Sequence, residues 1–336
     1  MKKRYLYPDI MRTAALLLIF VYHFFAEFER RVPGVSMPRF FTEKSGLSCH
    51  PVAVAVSLFF MISGGSLMLS SKEGETAVSF YRRRFKSLMI PFYAVFILGF
   101  IGTLLFFSER YQGVPLYTIL LSVIGMDGYL LEVIPNFYVT GEWFLGCLIL
   151  LYLCFPLLKK GVEKSPVLTA ALTLAAWILL LAFFDVKLFS ERDRWFFLRI
   201  PEFLCGMYLA KYLKKAGTVS GLTGIVLFTA LWIPGIPERF ELLQRLFVTA
   251  GIYLIFRFIG ELIDGKVPVL ENCLHFFAKI SYEFFLLHHF AILIAAVLWS
   301  KRPAGTGLLL LLLAGLFTAC IAAAYVLKRC IARIFT

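Results

Sequence analysis

The sequence predicts an all-α membrane protein, a bundle of transmembrane helices that forms one domain over residues 1–336. Of its 336 residues, 60% are hydrophobic and only 16% are charged, whereas soluble domains are nearer half apolar and a quarter charged. The apolar residues gather in stretches of about 20, the length that crosses the hydrocarbon core of a bilayer. Backbone groups find no water there, so the spanning segments should be helices.

Ten stretches of the chain are candidate spans. They cover residues 10–28, 51–70, 87–107, 142–159, 167–185, 195–213, 219–235, 243–263, 275–299 and 305–327. The sixth is interrupted by Arg199 and the seventh is short, so these two are the weakest. Residues 115–134 are less apolar, and we expect them to lie at the interface or to re-enter the membrane. The basic start of the chain is typical of a signal peptide, but no small-residue cleavage site follows, so we expect an uncleaved first helix.

The distribution of basic residues predicts the orientation. With ten spans, the tail before the first span and segments 71–86, 159–166, 211–218, 264–279 and 328–336 lie on one side. These segments hold more Lys and Arg than the opposite loops, which places both termini in the cytoplasm. The net charge of +13 therefore indicates topology and contact with anionic lipids of the plasma membrane rather than a nucleic-acid partner. The seven cysteines show no metal-binding spacing, so we expect neither a metal nor a structural disulfide.

Ionisable residues of the first helix are the leading functional candidates, because charges inside a span are costly. Arg12 and His23 are eleven residues apart, about 16 Å along nearly the same helix face. His23 has the chemistry of a general base, and Arg12 can hold phosphates by forked hydrogen bonds. Asp9 is one turn from Arg12 and can pair with it. A capped interfacial histidine and an arginine that reaches the headgroups explain the same spacing equally well.

Two further segments carry polar residues. Ser63 lies in the small-residue run of the second span, where helix packing is the favoured interpretation. Arg84 belongs to a basic cluster at the start of the third span, which fits a phosphate-binding patch or ordinary cytoplasmic charge.

The remaining candidates lie further along the chain. Glu142 and Trp143 open the fourth span, where tryptophan is normally an interfacial belt residue. Arg199 can pair with Glu202 or line a substrate pocket. His288 and its neighbour His289 cannot both face one cavity, because adjacent helical positions point in different directions.

These landmarks together resemble the membrane-bound acyltransferase 3 family, whose members O-acylate bacterial surface glycans and related molecules. The resemblance covers nearly the whole chain and rests on segments in the family's order. They are Arg12-x10-His23, Phe59-Phe60-Met-Ile-Ser63-Gly64, the basic segment from Tyr81 to Pro91, Trp143-Phe-Leu with Tyr152 and Pro156, Arg199 to Gly206, and Ser281-Tyr282 to His288. The sequence departs from the family at Ser87, where a second arginine is expected, at Phe285 in place of an aromatic hydroxyl, and at Glu283.

The resemblance implies transfer of an acyl group, often acetyl, from cytoplasmic acyl-CoA to a hydroxyl of a surface polysaccharide, glycolipid or related acceptor. No permanently bound cofactor is implied. His23 would be the catalytic base, and Asp9 would be a second catalytic residue. Arg12, Arg84 and Ser63 would bind the donor. The acceptor would be bound by residues of later spans, namely Glu142, Trp143, Arg199 and His288.

Two other functions remain open at this stage. A transporter or exporter of a glycan or small anion would use Arg12, Arg199 and Glu202 to bind a moving substrate, and broken helices in corresponding halves would favour it. A sensory or structural membrane protein would have no cavity that joins Arg12 to His23. The acceptor, the acyl group and the oligomeric state are not specified by the sequence.

Overall fold

The computed structural model describes residues 5–335 except 73, 107, 184–193 and 238–239. The basic residues at positions 2–4 and the ends of the predicted third and fifth spans, at 107 and 184–185, lie outside the described residues. Within the described residues the secondary structure is entirely helical, and the prediction of an all-α fold is confirmed.

Twelve α-helices are formed by the described residues. They are α1 Tyr7–Arg31, α2 Pro51–Ser70, α3 Ala77–Phe106, α4 Ile119–Val123, α5 Asp127–Leu130, α6 Glu142–Lys164, α7 Pro166–Phe183, α8 Phe196–Tyr212, α9 Thr218–Phe228, α10 Glu241–Ile263, α11 Pro268–Trp299 and α12 Thr306–Phe335.

Eight of these helices are long and apolar enough to cross a membrane, judged on the described part of the chain. The two weakest predicted spans fall short, because α8 has 17 residues and α9 has 11. The chain is thus a membrane protein with a helical bundle, whereas ten spans and cytoplasmic termini stay predictions. Residues 115–134 form turns and the short helices α4 and α5 rather than a span.

Helices α3 and α11 begin earlier in the chain than the spans predicted there. The expected loop 71–86 ends early, and α3 starts at Ala77. Thr76 caps this start, since its hydroxyl accepts a hydrogen bond from the Ser79 amide at 3.2 Å. Likewise α11 starts at Pro268, a residue favoured in the first turn. Hydropathy missed both starts because each contains polar residues that are helical without being apolar, Arg82 to Arg84 in α3 and Glu271 and Asn272 in α11.

Close packing of α2 on α8 forms the centre of the bundle. A Cβ on Gly64 of α2 would lie 2.0 Å from the Phe203 carbonyl oxygen, and one on Gly206 of α8 would lie 1.9 Å from that of Met61. Only glycine permits such an approach, which is how small residues hold membrane helices together. On the other side of α2, α1 packs against α2, α10 and α11. The first helix therefore lies between α2 and α11.

The short helix α5 packs against the start of α6. A Cβ on Gly128 would lie 2.5 Å from the Glu142 carbonyl oxygen, so α5 touches the backbone of the first residue of α6. Beside it Asp127 is buried, and burial raises the pKa of its carboxyl group to about 7. This contact fixes the position of Glu142.

Candidate active site

A cavity of about 900 Å³ lies within the bundle and joins two groups of polar residues. One group, here the Arg12 end, contains Arg12, Ser63, Ser66, Arg84 and Ser87. The other, here the His23 end, contains His23, Glu27, Glu142, Trp143 and His289. Arg12 and His23 are eleven residues apart on α1, so about 16 Å separates the two ends.

At the His23 end, two histidines from α1 and α11 form a pair. His23 Nδ1 and His288 Nε2 are 3.0 Å apart, and the rings are nearly parallel. The other nitrogen of His288, Nδ1, is 2.6 Å from the Phe285 carbonyl oxygen and must donate to it. A neutral His288 then accepts at Nε2, so His23 donates from Nδ1. The unprotonated nitrogen of His23 is therefore Nε2, the atom that a general base needs.

His288 lies behind His23 and is fully buried. It does not line the cavity, whereas His23 does. The prediction that His288 contacts the substrate is corrected for this reason. Its position suits the support of His23 instead.

His289 and Glu27 are cavity residues that the sequence interpretation missed. His289 Nδ1 lies 2.7 Å from Glu142 Oε1, and its Nε2 lies 3.7 Å from Glu27 Oε1. The rings of His289 and His23 have centroids 4.9 Å apart. The available signal was the position of Glu27, four residues after His23 and so on the same face of α1. Two carboxylates beside His289 stabilise a positive charge on its ring.

Glu142 has an unusual backbone conformation. Its φ angle is +48°, in the left-handed region, directly after Gly141 at +96°. Such a conformation is costly for a residue with a side chain and persists where the surroundings hold it. The Tyr138 hydroxyl donates to Glu142 Oε1 at 2.7 Å, and His289 binds the same carboxylate. The predicted site residue Glu142 is thus held beside His289 by several contacts.

At the Arg12 end, serines of α2 bind the two arginines. Arg12 donates to Ser66 Oγ at 2.7 Å, and Arg84 donates to Ser70 Oγ at 2.8 Å. Ser63, one turn earlier on α2, lines the same cavity, as does Tyr152 of α6. Serines 63, 66 and 70 share one helix face, and their spacing in the sequence is the signal that could have placed them together. Two guanidinium groups beside hydroxyls suit an anionic ligand.

Asp9 belongs to the Arg12 end and not to the catalytic end. Its Oδ1 is 3.4 Å from Arg12 Nη1, and its Oδ2 is 2.6 Å from His275 Nδ1. Asp9 precedes His23 by fourteen residues, about 21 Å of helix. Asp9 therefore cannot contact His23, and this placement does not support the prediction that Asp9 is a catalytic residue. Its contacts position Arg12.

Arg199 forms a buried ion pair beneath the cavity wall. Its Nη1 lies 3.0 Å from Glu202 Oε1 and 3.2 Å from Ser57 Oγ. The guanidinium packs over the rings of Phe60 and Trp143, 5.5 Å from each centroid. Arg199 borders the cavity, but its side chain is 0% exposed. A ligand must reach a side chain to bind it, so this geometry favours support of Trp143 over contact with a substrate.

Comparison with known proteins adds three findings. The acyltransferase domain family matches residues 5–328. Acyltransferase MdmB of Streptomyces mycarofaciens is 24% identical over 269 residues, which are 71% of this chain and 68% of that protein. No solved structure matches the chain.

Proposed function

The chain belongs to the acyltransferase 3 family and is an acyl-transferring enzyme, and from this premise we propose that it moves an acyl group from acyl-CoA to a hydroxyl with His23 as the general base. The observation that carries this proposal is the 3.0 Å contact between His23 Nδ1 and His288 Nε2 beside the cavity, which with a neutral His288 assigns the free ring nitrogen of His23 to Nε2. The family favours an enzyme over the transporter and sensory alternatives.

The donor binds at the Arg12 end. Arg12 and Arg84 provide two guanidinium groups, and serine hydroxyls hold both of them in place. Phosphate groups bind such forked donors well. With its phosphates there, acyl-CoA extends its thioester toward His23, about 16 Å away. Acetyl is the acyl group we propose.

The reaction proceeds through a tetrahedral intermediate. His23 Nε2 removes the proton of the acceptor hydroxyl while the hydroxyl oxygen attacks the thioester carbonyl carbon. The carbonyl oxygen becomes an oxyanion. When the intermediate collapses, the carbon–sulfur bond breaks and the thiolate takes the proton from His23. The products are an ester and free CoA thiol, and His23 is neutral again.

His289 stabilises the oxyanion. Its ring is 4.9 Å from that of His23, and Glu142 and Glu27 hold it from both sides. A fixed positive charge beside the developing oxyanion lowers the barrier without reorganisation.

The acceptor enters from the His23 end and supplies the hydroxyl that is acylated. It is a surface polysaccharide, a glycolipid or a related molecule at the plasma membrane. Tyr22, Trp143 and His50 line this end of the cavity. Aromatic rings present apolar faces with polar edges, which suit a sugar ring and its hydroxyls.

The test is transfer or hydrolysis of labelled acetyl-CoA by the purified protein in detergent. We expect His23→Ala to lower kcat by about 100- to 10,000-fold, the usual contribution of a positioned base, with little change in KM. The matched control is Leu17→Ala, an outward-facing residue of the same helix, which should keep wild-type rates. If His23→Ala releases label as fast as the wild type, His23 is not the base.

A further inference from the structure

An ion pair between α11 and α12 lies on the cavity wall and has no role in the steps above. Lys328 Nζ is 2.8 Å from Glu283 Oε1, and both residues line the cavity. The Glu283 side chain is only 4% exposed, whereas that of Lys328 is 44% exposed. A buried carboxylate with one partly open partner is costly unless something further compensates it.

The pair lies between the two ends of the cavity. The Tyr282 hydroxyl donates to the Leu88 carbonyl at 2.9 Å, so the residue next to Glu283 packs against α3 at Leu88. Arg84 is four residues before Leu88, about 6 Å toward the Arg12 end. Glu283 in turn precedes His289 by six residues, about 9 Å of α11. A ligand that spans from Arg84 to His23 therefore passes the pair.

The pair offers a hydrogen-bond acceptor and a donor side by side. Glu283 Oε2 is buried and has no hydrogen-bond partner among the described residues, although buried polar atoms are nearly always paired. The Lys328 ammonium has three N–H donors, of which Glu283 uses one. A secondary amide has the matching groups, an N–H for Oε2 and a carbonyl for Lys328.

We propose that Glu283 and Lys328 bind a secondary amide in the arm of the acyl-CoA donor. This inference rests on the proposed donor. The arm links the diphosphate to the thioester and contains two such amides. It is about as long as four to five extended residues, roughly 15 Å, which fits the distance of about 16 Å between Arg12 and His23. Glu283 thereby selects a donor that has an N–H at this level.

The experiment compares acetyl-CoA with two analogues, each with an ester oxygen in place of one amide N–H. In the wild type, kcat/KM for one analogue should be about 10- to 100-fold below that for acetyl-CoA, the effect of one hydrogen bond to a charged group. In Glu283→Leu, kcat/KM for acetyl-CoA should fall to the value for that analogue. The ratio of the two kcat/KM values therefore approaches one. Glu283→Met, which keeps the length of the side chain but has no oxygen to accept the N–H, serves if the leucine variant does not fold.

The matched control is Glu163→Gln, which breaks the exposed ion pair with Lys211 and should leave the ratio at the wild-type value. A ratio in both Glu283 variants equal to that of the wild type overturns the inference and leaves the proposed donor standing. Equal kcat/KM values of the wild type for acetyl-CoA and both analogues also overturn the inference and leave the proposed donor standing. If the wild type transfers no label from acetyl-CoA, the proposed donor and the inference fail together.

Discussion

Replacement of His288 by leucine tests the support of the proposed base most directly. The leucine fills a similar volume on α11 but cannot accept a hydrogen bond. His23 Nδ1 then keeps its proton without a partner, or the proton moves to Nε2. In the second tautomer the atom that faces the acceptor is already protonated and cannot act as a base.

The size of the effect follows from the 3.0 Å contact between His23 Nδ1 and His288 Nε2. A buried donor without its acceptor costs about 1–3 kcal/mol. This cost falls on the productive tautomer alone, so kcat should drop by about 5- to 150-fold. The KM for acetyl-CoA should not change, because Arg12 lies about 16 Å away.

The assay is steady-state acetyl transfer by protein in detergent, together with thermal unfolding of each variant. His288→Gln is the conservative variant, because its side-chain carbonyl can accept from His23 Nδ1, and it should recover part of the lost kcat. A folded His288→Leu protein with a kcat within twofold of the wild type would refute the tautomer argument.

Two further predictions concern stability. Arg199→Met should lower the free energy of unfolding by about 3–5 kcal/mol, because Glu202 is left buried without its cation. The double variant with Glu202→Leu should recover much of this in thermal unfolding, and a double variant less stable than the single one would contradict the explanation. Burial raises the pKa of Asp127 from 3.8 to about 7, so its protonated form is favoured in the folded state. Stability present below pH 4 is therefore lost as pH rises through about 7, by an amount on the order of a few kcal/mol. Asp127→Asn should flatten the decline in melting temperature between pH 5 and pH 8, and an unchanged slope would exclude Asp127 as its source.

Most of the helical fold could be predicted because lipid imposes length and apolarity on each span. The errors occurred where this constraint weakens. Helix α8 lies within one residue of its predicted ends, but the buried pair of Arg199 and Glu202 lies within its 17 residues, so its assignment as a span stays a prediction. The start of α3 was missed since Arg82 to Arg84 are helical but not apolar. Hydropathy therefore locates the membrane part of a helix and not its ends.

The site could be predicted only where its residues share one helix. His23 and Arg12 were found because both lie on α1, where periodicity fixes their phase. The contact of His289 with Glu142 joins residues of α11 and α6, and no local pattern reports such a distance. His288 was assigned to the wrong side of its helix for the same reason. Sequence alone gives neither the rotation of α11 about its axis nor its neighbours.

Arg12 and His23, the leading functional candidates from the sequence, also determine which kind of ligand the fold can bind. Eleven residues bring Arg12 and His23 within about 20° of one face but about 16 Å apart. Two groups so far apart cannot act on the same atom, so they must act on two parts of one long ligand or on two ligands. The cavity borders both residues, and the guanidinium groups lie at the end opposite to the base. A donor with its phosphates at one end and its reactive carbonyl at the other fits this separation, whereas a small anion that binds Arg12 would remain out of reach of His23.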